Sequence, residues 1–190
     1  MLNRLACALL ICAALTIARA QTLPRIDRES DAHPRQLISE GLGVSHIYVG
    51  HSTADDVASA YGKTFETVEH GALGSEMRYA ALGLSFHYCG GDEQRRIVRV
   101  EARPPFEGFT ARGITLGASR ARDVLKAYGQ AEPKASPAND SWFYAYPGVE
   151  FHVAHRDLGD KSASQLLGSR IDAIAVVAED WAGCTTPTTR

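Results

Sequence analysis

Beyond its first twenty residues the chain has no apolar run long enough to cross a bilayer, and it carries only four cysteines and no excess of basic charge. Each shortage excludes something. Without a second long apolar run, no transmembrane segment is expected. A weakly acidic balance argues against nucleic acid as a partner, because phosphate binding needs a concentrated basic face. The one dense basic spot, Arg95-Arg96 with Arg99 close by, reads as a solvated strand edge. There is no Gly-x-Ser-x-Gly elbow, no His-Glu-x-x-His, and no glycine pattern of a phosphate or dinucleotide loop. The chain is therefore expected to be no enzyme and to need no cofactor.

The N-terminus has the pattern of an export signal. Arg4 supplies the positive region, residues 5–17 the short apolar core, and Ala18-Arg19-Ala20 the small-residue cleavage site. Cleavage after Ala20 predicts a periplasmic or secreted protein. A lipid anchor does not fit, since Cys12 follows Leu10-Ile11 and Cys7 comes too soon after Arg4. Cleavage removes Arg4 and Arg19 and no acids, so 20 basic residues become 18 against 22 acidic, and the net charge moves from −2 to −4. It also leaves two cysteines, Cys89 and Cys184, and in an exported chain these predict one disulfide. A metal or redox pair is the weaker reading, for the two lack a C-x-x-C spacing.

What the chain does have is a duplication. Residues 40–62 and 107–129 align with eleven identities in 23 positions, against about one or two for unrelated segments. Each copy holds a short helix. In the first, Ala54, Val57, Ala58 and Tyr61 form one apolar face, Ser52 or Thr53 caps the start, and Gly62 ends it. In the second, Ala121, Val124, Leu125 and Tyr128 repeat the face, with Ser119 as cap and Gly129 as end. Helices of about three turns do not hold alone in water, so each is expected to lie on a sheet. Short β-compatible runs separated by glycines follow each helix, at residues 65–70, 76–82, 84–88 and 96–102, then 142–146, 149–153 and 171–177. Tyr79 is aligned with Tyr144, Gly83 with Gly148, and His87 with His152.

The predicted architecture is α+β: two tandem helix-plus-antiparallel-sheet pseudo-repeats forming one continuous curved sheet with helices on one face. The divisions are a signal peptide at 1–20, a mobile arm at 21–36, a first repeat at 37–103, a second at 104–178, and a tail at 179–190. Residues 37–49, interrupted by Gly41 and Gly43, read as an extended, kinked segment, and residues 156–169 as an extended hairpin loop. Arg103-Pro104-Pro105 is a joint too short to be a free linker.

The order Gly, Ser or Thr, short helix with Val, Tyr-Gly, aromatic strand, Gly-hydrophobic-x-Phe strand and Ile-rich strand resembles the tandem repeats of the β-lactamase inhibitor protein class. It is similar also to the SmpA/OmlA-type small envelope proteins. The resemblance covers most of residues 40–178. It implies two helix-plus-sheet units whose strands join in one curved sheet with a concave, aromatic-rich face that grips a protein partner.

Two sets of residues are candidates for binding. Trp142, Tyr144 and Tyr146 alternate along one strand, with Tyr79 in the first repeat at the corresponding place. Phe143 and Ala145 are good core residues for the opposite side, so the three rings are expected to face outward as a recognition patch. His87 and His152 each follow a core phenylalanine and therefore share the open face with Ser85 and Glu150. The first reading is an exported protein-binding module, acting as a monomer on another exported or envelope protein as an inhibitor, immunity or accessory factor. The alternative is a small-ligand or metal-binding periplasmic protein with His87 and His152 as polar anchors.

Overall fold

The computed structural model describes residues 35–71, 74–136, 141–153, 163–178 and Cys184. The expected signal peptide, the arm up to residue 34, residues 156–162 of the expected loop, and the tail apart from Cys184 lie outside the described residues.

The first repeated helix, α1 (Ala54–Tyr61), begins at Thr53. The Thr53 hydroxyl accepts from the Asp56 amide at 3.3 Å and the Asp56 carboxylate accepts from the Thr53 amide at 2.8 Å, so two otherwise orphaned donors are satisfied reciprocally. Asp55 and Asp56 in its first turn also favour the positive end of the helix dipole. The second, α2 (Ala121–Tyr128), begins at Arg120, whose amide donates to the Asp123 carboxylate at 2.8 Å. Ser119, expected as the cap, is committed elsewhere, because its hydroxyl accepts from the Thr115 amide at 2.9 Å. Ser52 does the same for Tyr48 at 3.0 Å, so both serines tighten the turn before the helix. A one-turn helix, α3 (Ala163–Leu166), occupies part of the expected 156–169 loop.

Most of the fold is strand. β1 (Gln36–Ser39), β2 (Gly43–Val44), β3 (Ile47–Tyr48) and β8 (Gly108–Thr110) make a small sheet in the order β3-β2-β1-β8, in which β1 and β8 run parallel. The expected kinked segment at 37–49 is thus folded into a sheet of its own. The remaining strands are β4 (Glu66–Glu69), β5 (Ser75–Tyr79), β6 (Leu84–Tyr88), β7 (Ile97–Ala102), β9 (Lys134–Ser136), β10 (Ser141–Tyr146), β11 (Val149–Val153) and β12 (Ile171–Val177). They form one antiparallel sheet of eight, ordered β4-β5-β6-β7-β12-β11-β10-β9. The architecture is α+β, with few helices and mostly strands in one mixed and one antiparallel sheet.

The register decides which side chains share a face, since directly paired residues point the same way. Met77, Phe86, Val100, Val176, Val149 and Tyr146 form one continuous row across six strands. Tyr79, Leu84, Ala102, Ile174, Phe151 and Tyr144 form the next row on the same side. That side carries the helices. Tyr61 packs on Phe86 with centroids 5.3 Å apart, and Tyr128 on Phe151 at 4.8 Å. Tyr79 and Tyr146 complete each cluster as edge-on rings against Phe86 and Phe151, at 5.9 and 6.1 Å. Their hydroxyls donate to the carbonyls of Gly62 and Gly129, both at 2.7 Å, so the last residue of each helix is tied to the sheet.

Gly148 joins the two sheets. It sits at φ +73, and a Cβ there would meet the Gly41 Cα at 2.5 Å, while the Gly41 amide donates to the Gly148 carbonyl at 3.0 Å. Cys89, just after β6, is bonded to Cys184, with Cα atoms 5.1 Å apart. Each fully buried phenylalanine contributes about 1.5–3 kcal/mol through removal from water alone. Phe151→Ala therefore is expected to lower the unfolding free energy by about 3–5 kcal/mol in urea titration, cavity included; a loss below about 1 kcal/mol would contradict the packing.

Candidate functional site

The helix-free face of the large sheet follows from the same register. Glu66, Arg78, Ser85, Glu101, Ala175, Glu150 and Ala145 form one row, and Val68, Glu76, His87, Arg99 and Val177 the adjacent one. Lys134, Phe143, His152 and Ala173 continue the face at its other end. The strand alternation that sends hydrophobic rings to the helices thus sends acids, arginines and histidines here.

Two clusters result. Where β12 passes between Arg99 and His152 this face carries Ala173 and Ala175, both fully buried. Because these are small, long side chains from β7 and β11 meet above them. Arg99 forms an ion pair with Glu150, donates to Glu101 at 2.9 Å, and lies 3.1 Å from His152 Nε2. His152 Nε2 is also 3.3 Å from Glu150, and its ring stacks on Phe143 at 5.2 Å. Arg103 donates to Glu101 at 2.6 Å and reaches Asp172 at 3.6 Å. Arg99 is 8% exposed and His152 3%. Burial works against both charges of each pair, but Arg99 and Arg103 outweigh it for Glu101 and hold its carboxyl at about 2. Removing one partner of such a group strands another charge, which costs about 3–5 kcal/mol.

The second cluster lies across β4, β5 and β6. Glu76, 5% exposed, accepts from Arg78 Nε at 3.0 Å and sits 3.1 Å from His70 Nε2. His87 is its direct cross-strand partner, and the His70 and His87 rings stack at 6.0 Å. Burial, with the Arg99 charge adding to it, pulls His87 down to about 4 against Glu76 and Glu101. Burial pushes the Glu76 carboxyl up, yet hydrogen bonds from Arg78, Ser85 and His70 and the charge of His87 leave it below the ordinary range.

The expected recognition stripe is corrected by this register. Tyr144 and Tyr79 belong to the helix side and are 1% and 4% exposed. Trp142 and Tyr146 are half-buried and pack on the same core. Phe143 and Ala145, expected in the core, lie on the polar side instead, because Phe143 is paired with His152 and Ala145 with Glu150. The repeat partner of Tyr79 is Tyr146 rather than Tyr144, since both bond the glycine that ends the preceding helix. His87, Glu150 and His152 do share the helix-free face, but β7 and β12 separate β6 from β11. Three steps of about 4.8 Å across the sheet, with a further offset of four residues along β12, keep the His87 and His152 backbones more than about 14 Å apart, too far to hold one ion together. Arg99 is not at a solvated edge: it is buried on the central strand β7, while Arg95 and Arg96 are paired to Asp55 and Asp92. Glu101 was not singled out in the sequence and Arg99 was read only as part of that edge, although the alternation of Arg99 and Glu101 with Val100 and Ala102 is a strand signal.

Two clefts of about 520 and 580 Å3 lie along α1 and α2. Neither is lined by a residue of the polar face; Tyr144, which lines the second, belongs to the helix side. Among the described residues, no helix is long and apolar enough to cross a membrane.

An α+β body with a helix-covered and a polar sheet face is the class these features define. No protein family and no curated protein matches the sequence. Among solved structures the chain is similar to the uncharacterized protein yfeY of Escherichia coli, at 12% identity and a TM-score of 0.54 over 74% of this chain and 98% of that one. At that identity the likeness shows the fold alone. A DUF4309 family protein (YjgB) of Bacillus subtilis subsp. subtilis str. 168 matches at 16% identity and a TM-score of 0.42, over 72% of this chain and 88% of that one.

The two shifted groups make stability fall in acid. Unfolded His87 takes up a proton near its ordinary 6.5 whereas folded His87 resists to about 4, so the unfolded state binds more protons in that window and stability drops as pH falls through it. Glu101 acts the same way between its ordinary 4.5 and about 2. Urea midpoints measured from pH 8 to 3 are expected to decline from about pH 6.5 downward, and His87→Gln to flatten the upper part of that decline. Identical slopes in the two proteins would contradict the assignment.

Proposed function

We propose that the protein is an exported binding module that engages another exported or envelope protein through the helix-free face of its large sheet. In this reading the large sheet is one continuous curved surface to which two copies of a helix-plus-sheet unit contribute, one at residues 37–103 and one at 104–178. The duplicated contacts support the copies: a Tyr-Gly helix end, a phenylalanine beneath it and a second tyrosine bonded to the glycine carbonyl occur twice. The cleavable-signal pattern and the Cys89–Cys184 bond support export.

The observation that carries the binding role is the character of that face. A sheet side with no helix over it among the described residues holds ionic groups in a fixed array, and two of its buried polar atoms, His152 Nδ1 and Asp172 Oδ1, have no hydrogen-bond partner. The resemblance to the β-lactamase inhibitor protein class supports a protein partner gripped by a sheet. With the aromatic rings committed to the core, recognition here rests on charge, and the partner is expected to present groups of both signs to Arg78, Arg103 and Glu66.

Arg78 and Arg103 keep about two fifths of their side chains exposed, so glutamine can replace either without emptying core volume, although Glu76 and Glu101 each lose one ion-pair partner. Arg78→Gln with Arg103→Gln is expected to reduce retention of the partner from envelope extract at least tenfold, in a variant that circular dichroism shows to be folded at the assay temperature. Arg122→Glu, in the first turn of α2 on the other side of the sheet, serves as the control and leaves retention unchanged. Equal retention by all three proteins, compared by quantitative mass spectrometry, would overturn the reading.

A further inference from the structure

We infer that His70, Glu76 and His87 form a binding site for a divalent metal ion of the zinc and copper(II) type. The inference is independent of whether the face also binds a protein. The candidate ligand atoms of the three residues lie within 4.8 Å of one another. Tetrahedral bonds of about 2.0–2.1 Å place ligand atoms about 3.4 Å apart, so closure takes about an ångström of side-chain rotation. His70 is the residue free to supply it, being exposed at the end of the β4–β5 hairpin. Glu76 and His87 are cross-strand partners on adjoining strands and already face each other.

The donor set selects the metal. Two imidazoles and one carboxylate suit zinc and copper, whereas calcium and magnesium need more oxygens than this site offers. Three protein ligands leave a fourth position open, which water or a group from an incoming molecule fills.

The backbone holds the site firmly. The His70 amide donates to the Gly74 carbonyl at 2.9 Å, closing the hairpin. Gly74 sits at φ +97, where a Cβ would meet the Tyr88 carbonyl oxygen at 2.1 Å and the Cys89 Cα at 2.8 Å. The hairpin end is therefore pressed against the end of β6, two residues from His87, where the disulfide also anchors the strand.

One group opposes the metal. Arg78 donates to both oxygens of Glu76, at 3.0 and 3.1 Å, and competes with a cation for the carboxylate. It has somewhere else to go, because its other terminal nitrogen lies 3.6 Å from Glu66. This makes a prediction that an incidental histidine cluster does not share: taking away the arginine strengthens metal binding.

The test is calorimetric titration of the purified, chelator-stripped protein with zinc chloride, then with copper(II), calcium and magnesium, alongside the visible spectrum of the cobalt(II) form. One equivalent of zinc is expected, with no calcium or magnesium heat. His70→Gln and His87→Gln each weaken zinc at least tenfold, and Arg78→Gln strengthens it severalfold. His70 is on an exposed hairpin end, so that variant keeps its fold and stays informative if His87→Gln does not; circular dichroism melts identify which variants are folded. Absence of zinc binding, zinc binding unchanged in folded His70→Gln, or no gain in Arg78→Gln would overturn the site.

Discussion

The clamp at the end of each repeated helix constrains everything else. Tyr61 and Tyr128 lie on Phe86 and Phe151, while Tyr79 and Tyr146 stand edge-on to the same rings and bond the glycine carbonyls that close the helices. Offset and edge-to-face rings contribute about 0.5–1.5 kcal/mol per pair beyond the area they bury, and here each ring serves more than one contact. A slip of one residue in β5 would turn Tyr79 to the other side, and one in β10 would turn Tyr146, breaking the clamp in that repeat. The clamp thus fixes the register, and the register fixes what the helix-free side displays.

That side is a polar array held in place by small residues. Ala173 and Ala175 on β12 leave room for Arg99 to cross from β7 to Glu150 and His152 on β11. Burying charges is costly, and such arrays rarely add net stability over hydrophobic packing of the same volume. What they do is fix geometry: Arg99, held by two carboxylates, in turn positions His152 against Phe143. At the far end of the sheet the same alternation brings Glu76 and His87 opposite each other beneath His70. This face thus carries a fixed array at one end and two histidines with a carboxylate at the other.

Much of this was legible in the residues, and the failures have physical causes. The helices were visible because 3.6-residue periodicity and a Tyr-Gly ending recur at a constant offset. The strands were visible because glycines separate them. The disulfide followed from counting. The face of β10 was not legible, since Trp142, Tyr144 and Tyr146 on one side and Phe143 and Ala145 on the other are both apolar enough for a core. The offset between copies changes from 67 to 65 residues between Tyr79 and Leu84, because four residues separate that pair but only two separate Tyr146 from Val149. Aligning on Gly83 and Gly148 therefore matched Tyr79 with the wrong tyrosine. Arg99 was misplaced and His70 missed for a different reason: their partners are set by pairing that is not local in sequence, Glu150 for the one and His87 for the other. The parallel pairing of β1 with β8 was equally non-local.

Whether the rings or the charges face solvent is decided most directly by hydroxyl-radical footprinting of the native protein, read residue by residue by mass spectrometry. Tyr48, about half exposed, supplies the internal standard. The account predicts that Tyr79 and Tyr144 stay unlabelled at doses that modify Tyr48 and become reactive only on unfolding in denaturant. Labelling of Tyr144 and Tyr79 at the rate of Tyr48 in the folded protein would contradict it.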